Sequence, residues 1–541
     1  MAKTAEEMAK EQKEISVSEF FEKNKHLLGF DNPTKALLMA VKEACDNSLD
    51  ACQDAGVLPD IAVKIKSLSE EKFRITVQDN GPGIVKEQIP RIFGKLLYGS
   101  KFHKRQQNRG QQGIGISAVL LYSQLTTGSP FRVWSKIASS KKVNYYELFI
   151  NTLKNEPDIV KENILEDGLG EHGVKIEMEL IGRYRKAQGP DDYLRQTSIS
   201  NPFAKITYHA PDDTKVIFQR SSNELPKPPK EIKPHPYGVE FGILLRMLGL
   251  TKSKTLQSFL SNEFSSVGSE TAKEICKTAR LLDKKPQELT REEIEKLLNA
   301  MQKVKIQRPP LDCLSPIGKK ELEKDLKKEY PNAELIVVET REPAVYRGSP
   351  FQIEIGIVYG GLPQDQQIEI VRIANRVPLL YQAGACATIE AAKDVDWKRY
   401  GLQQSANSLP FGPLVLVIHM CSTWVPFVSE SKEAIAPYPE IVKEIKLAIQ
   451  ETSRELSRFL SGKRRAGAEK RRMQIFERYA SPVIEAVSKL TEGDAKKIEK
   501  KFMELLSNRS KLNEFAKQES TEEKENENNT PGEQKEEKEE E

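Results

Sequence analysis

The order of the first regular elements constrains this chain most: a long amphipathic helix leads into two strand patterns with no parallel crossover between them. Thr34 to Gln53 carries Leu37, Val41, Ala44 and Ser48 on one side at helical spacing, after an Asn32-Pro33 start signal. Ile61–Leu68 and Phe73–Gln78 read as strands joined by a polar Ser-Glu-Glu-Lys turn. In the second strand, Phe73, Ile75 and Val77 alternate with Arg74, Thr76 and Gln78. A loop rich in Gly, Lys and Arg runs to Gly113, and Ile114–Gln124 is apolar and helical. Further strands are predicted at Arg132–Lys136, Val143–Ile150, Val174–Leu180 and Ala204–His209. A helix followed by hairpin strands predicts one α+β sandwich from residue 16 to about 222, not the alternating βαβ of a Rossmann fold.

Proline then punctuates the chain. Leu225-Pro-Lys-Pro-Pro-Lys-Glu-Ile-Lys-Pro-His-Pro is a stiff linker. Beyond it, helices are predicted at Val239–Leu248, Lys254–Asn262, Ser269–Ala279 and Arg291–Val304, separated by Gly249, Gly268 and Pro286. Arg308-Pro-Pro closes this helical unit. A third unit, about Leu311 to Gly462, is α/β again, with strand patterns at Glu334–Glu339, Phe351–Tyr359, Ile368–Asn375 and Leu414–Met420. It ends in a long helix from about Pro439, whose apolar stripe is Ile441, Ile445, Ala448, Leu456 and Phe459. The length of 541 residues accommodates these parts.

No apolar run reaches membrane-spanning length, and Met1 to Ile15 mixes Lys with Glu and has no apolar stretch, unlike a signal peptide. Cys45, Cys52, Cys276, Cys313, Cys386 and Cys421 show no C-x-x-C spacing, which fits reduced, buried thiols in a cytoplasmic protein. The net charge of +4 is unevenly spread: Gln518–Glu541 holds eleven Glu and three Lys, a net −8, leaving +12 on the remainder. That remainder suits an anionic partner, whereas the tail is predicted to be disordered.

Three clusters in the first unit carry chemistry. Glu43 and Asn47, four residues apart on the first long helix, share a face, with Asp46 and Asp50 beside them. A carboxylate and a carboxamide so placed serve as water-activating base and metal ligand, or form an ordinary polar helix face. Gln78-Asp79-Asn80-Gly81-Pro82-Gly83-Ile84 closes a strand. Asp79 could accept from an exocyclic amine while the glycines admit a flat base; an Asn-Gly turn is the plain alternative. Gly110-Gln111-Gln112-Gly113-Ile114-Gly115-Ile116-Ser117 opens a helix, where free amides and glycines make a phosphate cradle. Lys101, His103, Lys104, Arg105 and Arg109 precede it in a basic loop suited to a lid over a triphosphate. Neither a Walker A loop nor a strand-following G-x-G-x-x-G is present.

Taken in order, Glu43–Asp50, Asp79–Gly83 and Gly110–Gly115 resemble the Bergerat-type ATPase fold of gyrase B, a heat-shock chaperone, histidine kinases and mismatch-repair ATPases. The resemblance implies that Glu43 polarises the attacking water, Asn47 holds Mg²⁺, Asp79 binds adenine and Gly110–Ser117 covers the phosphates of ATP. Tyr98-Gly99-Ser100-Lys101 with Arg109–Ser117, Pro234-His-Pro-Tyr-Gly238, Trp397-Lys-Arg-Tyr400 and Ser431-Lys-Glu-Ala-Ile435 resemble, more narrowly, the B subunit family of topoisomerase VI, from about residue 16 to 465.

That narrower likeness implies a division of the chain. Residues 1–224 would form the Bergerat-fold domain with Gly83, Ser100 and Lys101 at the nucleotide, and 225–310 a helix-two-turn-helix domain. Residues 311–470 would form a transducer with a stalk helix, and 471–541 a helical extension with the acidic tail. Lys432 aligns with a transducer lysine that reaches the γ-phosphate. The implied partners are a DNA-cutting A subunit, duplex DNA and a second B subunit within an A2B2 assembly, in the cytoplasm at the nucleoid and without membrane contact. One departure is His172-Gly-Val174, where the family often has threonine, a loss of one hydroxyl near the adenine. Trp397–Tyr400 mixes aromatic and cationic groups, suited to DNA contact or to packing. A chaperone or mismatch-repair ATPase disagrees with the Trp397–Tyr400 and Ser431–Ile435 motifs. A non-hydrolysing scaffold disagrees with intact Glu43, Asn47 and Asp79.

Overall fold

In this computed structural model the described residues are 8, 15–25, 29–101, 104–110, 113–166, 168–429 and 431–504. Gln111, Gln112, His103 and the acidic tail therefore lie outside the described residues. The chain packs as two units divided between Ser457 and Arg458.

The first unit begins with α1 (Val17–Lys23) and α2 (Pro33–Asp54). α2 starts where its sequence predicts: the Asn32 side chain accepts from the Lys35 amide at 2.9 Å, and Pro33 occupies the first turn, where no N–H is missed. Leu37, Val41, Ala44 and Ser48 are all buried. β1 (Asp60–Ser67) and β2 (Lys72–Gln78) pair antiparallel, with Val63 opposite Val77. They sit inside an eight-stranded sheet with β3 (Phe131–Lys136), β4 (Val143–Asn151), β5 (Glu156–Leu165), β6 (Gly173–Ile181), β7 (Lys205–His209) and β8 (Lys215–Phe218). Its order is β5-β4-β3-β6-β2-β1-β7-β8, antiparallel throughout except for the parallel β1–β7 pair. α3 (Ile89–Gly94), α4 (Gly115–Thr127) and α5 (Pro190–Ser200) complete this part. α2 and α4 bury Leu37, Leu49, Val119 and Leu120 against Ile75, Val133 and Met178 of the sheet.

Four helices follow: α6 (Phe241–Leu250), α7 (Leu256–Glu263), α8 (Ser269–Ala279) and α9 (Arg291–Lys303). They share a core of their own around Leu244, Phe259, Ile275 and Leu297. α9 opens with a capping box, Thr290 and Glu293 each satisfying the other's backbone amide.

The second sheet holds β9 (Leu335–Thr340), β10 (Ala344–Tyr346), β11 (Ser349–Tyr359), β12 (Glu369–Ala374), β13 (Val377–Pro378) and β14 (Leu414–Ser422), with α10 (Lys319–Glu329) and α11 (Ala387–Lys393). β14 is central, antiparallel to β11 and parallel to β12, and buried at every position. Among its buried polar residues, Glu354 and His419 face each other across β11 and β14. His419 Nδ1 is 2.7 Å from Glu354 Oε2, and its Nε2 accepts from the Arg376 amide, so the ring protonates on Nδ1. Glu354 also accepts from the amides of Ile317 and Gly318, which fixes the entry to α10. Trp397 is fully buried and its Nε1 donates to the Ala392 carbonyl at 2.7 Å, so the indole packs; Lys398 and Arg399 are exposed.

α12 (Pro439–Thr491) runs on past residue 470 without a break, and 495–504 is helical again. Ile441, Ile445, Ala448 and Leu456 of the predicted stripe are buried, whereas Phe459 is only half-buried and Leu460 is buried beside it. In the second unit Phe476, Tyr479, Val483, Val487 and Leu490 recur at three- and four-residue spacing and stand exposed. All six cysteines are buried and unpaired. Among the described residues no helix is long and apolar enough to cross a membrane.

Candidate functional site

A cavity of about 990 Å³ opens where α2, the end of β2, the start of α4 and the Ser431–Lys432 turn converge. Glu43, Asn47, Asp79, Gly83, Ser100, Lys101, Gly110, Gly113, Ile114, Gly115, Ile116, Ser117 and Lys432 all line it. Of the residues nominated from sequence, Gln111, Gln112 and the lid residue His103 are not placed, because they fall outside the described residues.

Asp79 lines the cavity with only 8% of its surface exposed. Its Oδ1 accepts from the amides of Gly81 (2.9 Å) and Val174 (3.1 Å), and its Oδ2 accepts from the Ser48 hydroxyl (2.8 Å). A carboxylate has about four acceptor positions, so one remains on Oδ2 for a donor from the cavity. Burial pushes the Asp79 carboxyl up, against the three hydrogen bonds that hold it down. Asn80 does different work: its side chain bridges the Asp60 amide and the Leu58 carbonyl, locking the loop to β1. Gly83 has φ +75°, and a Cβ there would lie 2.1 Å from the Lys136 carbonyl, so glycine is obligatory. At Val174 the departure from threonine leaves the backbone role intact, because it is the amide that holds Asp79.

Glu43 lines the same cavity. Lys42 Nζ donates to it at 3.2 Å and lies 3.4 Å from Asp46, which also accepts from Tyr193. Burial alone would raise the Glu43 carboxyl, but the charges of Lys42 and Lys432 outweigh it and hold the group below the usual glutamate range. It is therefore an ionised base at neutral pH. Gly115 makes room for it, since a Cβ at that position would come 1.9 Å from Glu43 Oε2. Asn47, one turn on, is exposed to the cavity, and its carboxamide has no partner among the described residues.

α4 begins at Gly115 with Ile114 as its N-cap, a residue that offers no side-chain cap. The first amides of such a helix point outward unpaired and favour an anion. Ser117 contributes only its backbone there, because its hydroxyl donates to the carbonyls of Ile92 and Lys95.

Part of the basic loop nominated as a lid is fixed in place. Arg109 is buried, its guanidinium 2.6 Å from both Asp50 and Asn201. Lys101 pairs with Asp50 (2.8 Å) and Asp54 (3.3 Å). Gln107 makes reciprocal bonds with the Ser315 backbone, and the Asn108 carbonyl accepts from Asn375. The root of the loop is thus tied to the second sheet.

Lys432 reaches this cavity from the second sheet's side of the fold. It lies in a turn at φ +52°, not at a helix start, and its Nζ donates to the Arg109 carbonyl at 2.9 Å. Burial lowers its affinity for a proton, against the pull of Glu43. The sequence patterns assign no chemistry to Lys42, Ser48 or the apolar wall formed by Phe20, Phe21, Phe30 and Phe93. Lys42 and Ser48 do carry a signal, since each stands one residue from a nominated side chain on α2.

Residues 32–152 match the family model described as histidine kinase-, DNA gyrase B-, and HSP90-like ATPase, and residues 309–472 match that of the topoisomerase VI B subunit, transducer. A protein of Methanococcoides burtonii, named as the B subunit of type 2 DNA topoisomerase 6, is 51% identical over 87% of this chain and 76% of its own length. One of the same name from Archaeoglobus fulgidus is 49% identical over 85% of this chain and 76% of its own. Another from Pyrococcus horikoshii is 36% identical over 94% and 98%.

Proposed function

This chain belongs to the topoisomerase VI B subunit family, the ATPase subunit of a type II DNA topoisomerase, and from that premise we propose the role of each residue in its cavity. The observation that carries the reading is the convergence of Glu43, Asn47, Asp79, the α4 N-terminus and Lys432 on one space. Asp79 accepts from the exocyclic amine of adenine with its remaining Oδ2 position. The triphosphate lies along Gly110–Ser117, against the α4 amides, with Ser100 and Lys101 at its flank. Glu43 takes a proton from water as that water's oxygen bonds to the γ-phosphorus; the bond to the β–γ bridging oxygen breaks, and ADP and phosphate result. Lys432 places its ammonium against the γ-phosphate, stabilising charge on the transferred group.

The unpartnered Asn47 carboxamide fits a Mg²⁺ that takes most of its ligands from phosphates and water. When bound, that ion would neutralise phosphate charge. Asp79→Asn tests the adenine assignment, because an amide NH₂ cannot accept. Losing a hydrogen bond to a charged acceptor weakens ATP about 10- to 100-fold, and unchanged affinity in a calorimetric titration refutes the role.

We assign 1–224 to the ATPase domain, 225–310 to a helix-two-turn-helix domain, 311–470 to the transducer and stalk, and 471–541 to the extension and tail. Separate apolar cores around Leu37, Phe259 and Val417 support the division. The partners we propose are a DNA-cutting A subunit, duplex DNA held through its phosphates, and a second B subunit that closes on ATP within an A2B2 complex, at the nucleoid in the cytoplasm. The exposed row Phe476, Tyr479, Val483, Val487 and Leu490 is an apolar surface of the kind a subunit covers. Co-expression with a tyrosine-bearing A subunit should give a stable complex that relaxes supercoiled DNA only with ATP. Relaxation without ATP, or no complex, overturns this assembly.

A further inference from the structure

Lys432 acts at the cavity only if its loop is held there, and while an antiparallel bridge between Phe427 and Ile435 closes the base of the loop, its tip at 431–433 belongs to no helix or strand. Its backbone is left-handed at φ +52°, a conformation that a lysine keeps only where its surroundings over-determine it. The surroundings are specific. The next residue, Glu433, sends its carboxylate back to α2, where Lys35 Nζ lies 2.5 Å from Oε1. Both side chains are buried, with 9% of Lys35 and 5% of Glu433 exposed. Arg372 fixes the same residue from behind, one guanidinium nitrogen donating to the Glu433 carbonyl and the other to that of Tyr381. The Tyr381 ring lies 6.0 Å from Lys35 Nζ, and its hydroxyl donates to the Gln188 carbonyl in the first part of the fold. Gly29, at φ +81°, stands where the two surfaces meet, and a Cβ there would lie a tight 3.2 Å from Ser431 Cβ.

Lys35 has a second carboxylate within reach. Asp31, one turn earlier, lies 2.9 Å from the same Nζ, but its side chain is 42% exposed. Separating a buried ion pair normally strands a charge. Here the ammonium retains a solvated partner when the transducer side leaves, so the pair can open and close at modest cost.

We propose that the Lys35–Glu433 ion pair is the latch that positions Lys432 over the nucleotide cavity, with Asp31 as the partner that keeps Lys35 satisfied when the loop withdraws. Glu433 is then a positioning residue, acting through Lys432, and the inference rests on the assignment of Lys432 to the γ-phosphate. It goes further in predicting that a residue with no access to nucleotide controls turnover.

The test uses the full-length chain with four variants: Glu433→Gln, Lys432→Ala, the two combined, and the charge exchange Lys35→Glu with Glu433→Lys. ATP kcat, ATP KM and ADP affinity are measured for each. Glu433→Gln should lower kcat at least about tenfold while ADP binds as in the parent, because removing one partner of a buried pair shifts docking by more than that factor. The charge exchange should recover most of the loss, since an ammonium at position 433 would face carboxylates at both 35 and 31. Added to Lys432→Ala, Glu433→Gln should cost nothing more. A parental kcat in Glu433→Gln, no recovery in the exchange, or independent multiplication of the two effects overturns the latch. If Glu433→Gln fails to fold, the charge exchange decides by itself: near-parental kcat supports the latch, and a loss equal to that of Lys432→Ala overturns it. Parental turnover in Lys432→Ala removes the γ-phosphate role and the latch with it, whereas slow Lys432→Ala beside parental Glu433→Gln removes the latch alone.

Discussion

Glu43→Ala should bind ATP nearly as the parent does and hydrolyse it about 10²–10⁴ times more slowly, the usual cost of a lost general base. The size of the loss follows from how fully the surroundings commit Glu43 to that task. Lys42 and Lys432 keep the carboxylate ionised despite burial, and Gly115 leaves it the space it occupies. Because its pKa is depressed, the base is present throughout the neutral range and is lost only as pH falls below the usual glutamate value. The turnover of the parent should therefore be flat on the acid side of neutrality until that point. ATP binding, hydrolysis and the pH profile can be measured on one preparation. Hydrolysis near the parental rate, or a profile that already breaks near neutrality from a carboxyl group, removes Glu43 from the role.

Lys432→Ala should bind ADP like the parent, hydrolyse ATP about 10²–10³ times more slowly, and fail to support strand passage with the A subunit. That magnitude is the usual effect of deleting one preorganised donor at a site of developing charge. ADP lacks the phosphate that the proposed role gives to Lys432, so its affinity is the internal control. The substitution leaves the left-handed backbone at residue 432 as strained as before, because alanine, like lysine, has a Cβ. A general loss of folding is therefore not the expected cause of the defect. ADP affinity, ATP turnover and supercoil relaxation measured together decide the matter. If all three match the parent, Lys432 is a structural lysine that bonds Arg109 and nothing more.

Periodicity makes the interior of the fold legible, and fails where burial does not alternate. β2 reads directly from Phe73, Ile75 and Val77 because one face is buried and the other is not. β5 escapes the pattern because it is an edge strand whose residues, including Ile159, Val160 and Ile164, are mostly exposed on both faces. β8, four residues at the opposite edge, is too short to show a period. α10 escapes it too, because its run of Lys and Glu buries only Leu322, Asp325 and Leu326.

The site follows the same logic. Glu43 with Asn47, and Asp79 with Gly83, are neighbours in sequence, so spacing and glycine placement expose them. Lys35 with Glu433, and Gln107 with Ser315, pair across hundreds of residues by tertiary contact. Nothing local marks either member, since each alone reads as a surface polar residue.

The six buried thiols bear on how motion in this protein can be watched. Burial pushes Cys52 up to about 12, and Cys276 and Cys313 up to about 11, so almost no thiolate exists at neutral pH to react with an alkylating dye. With all six thiols buried, the folded native chain should react slowly with maleimides. Cysteines introduced in place of exposed Lys64 and Lys398, one on the nucleotide-binding sheet and one on the transducer side, would be the reactive pair. Donor and acceptor fluorophores at those positions would report the distance between the two parts in real time, without first removing any native cysteine.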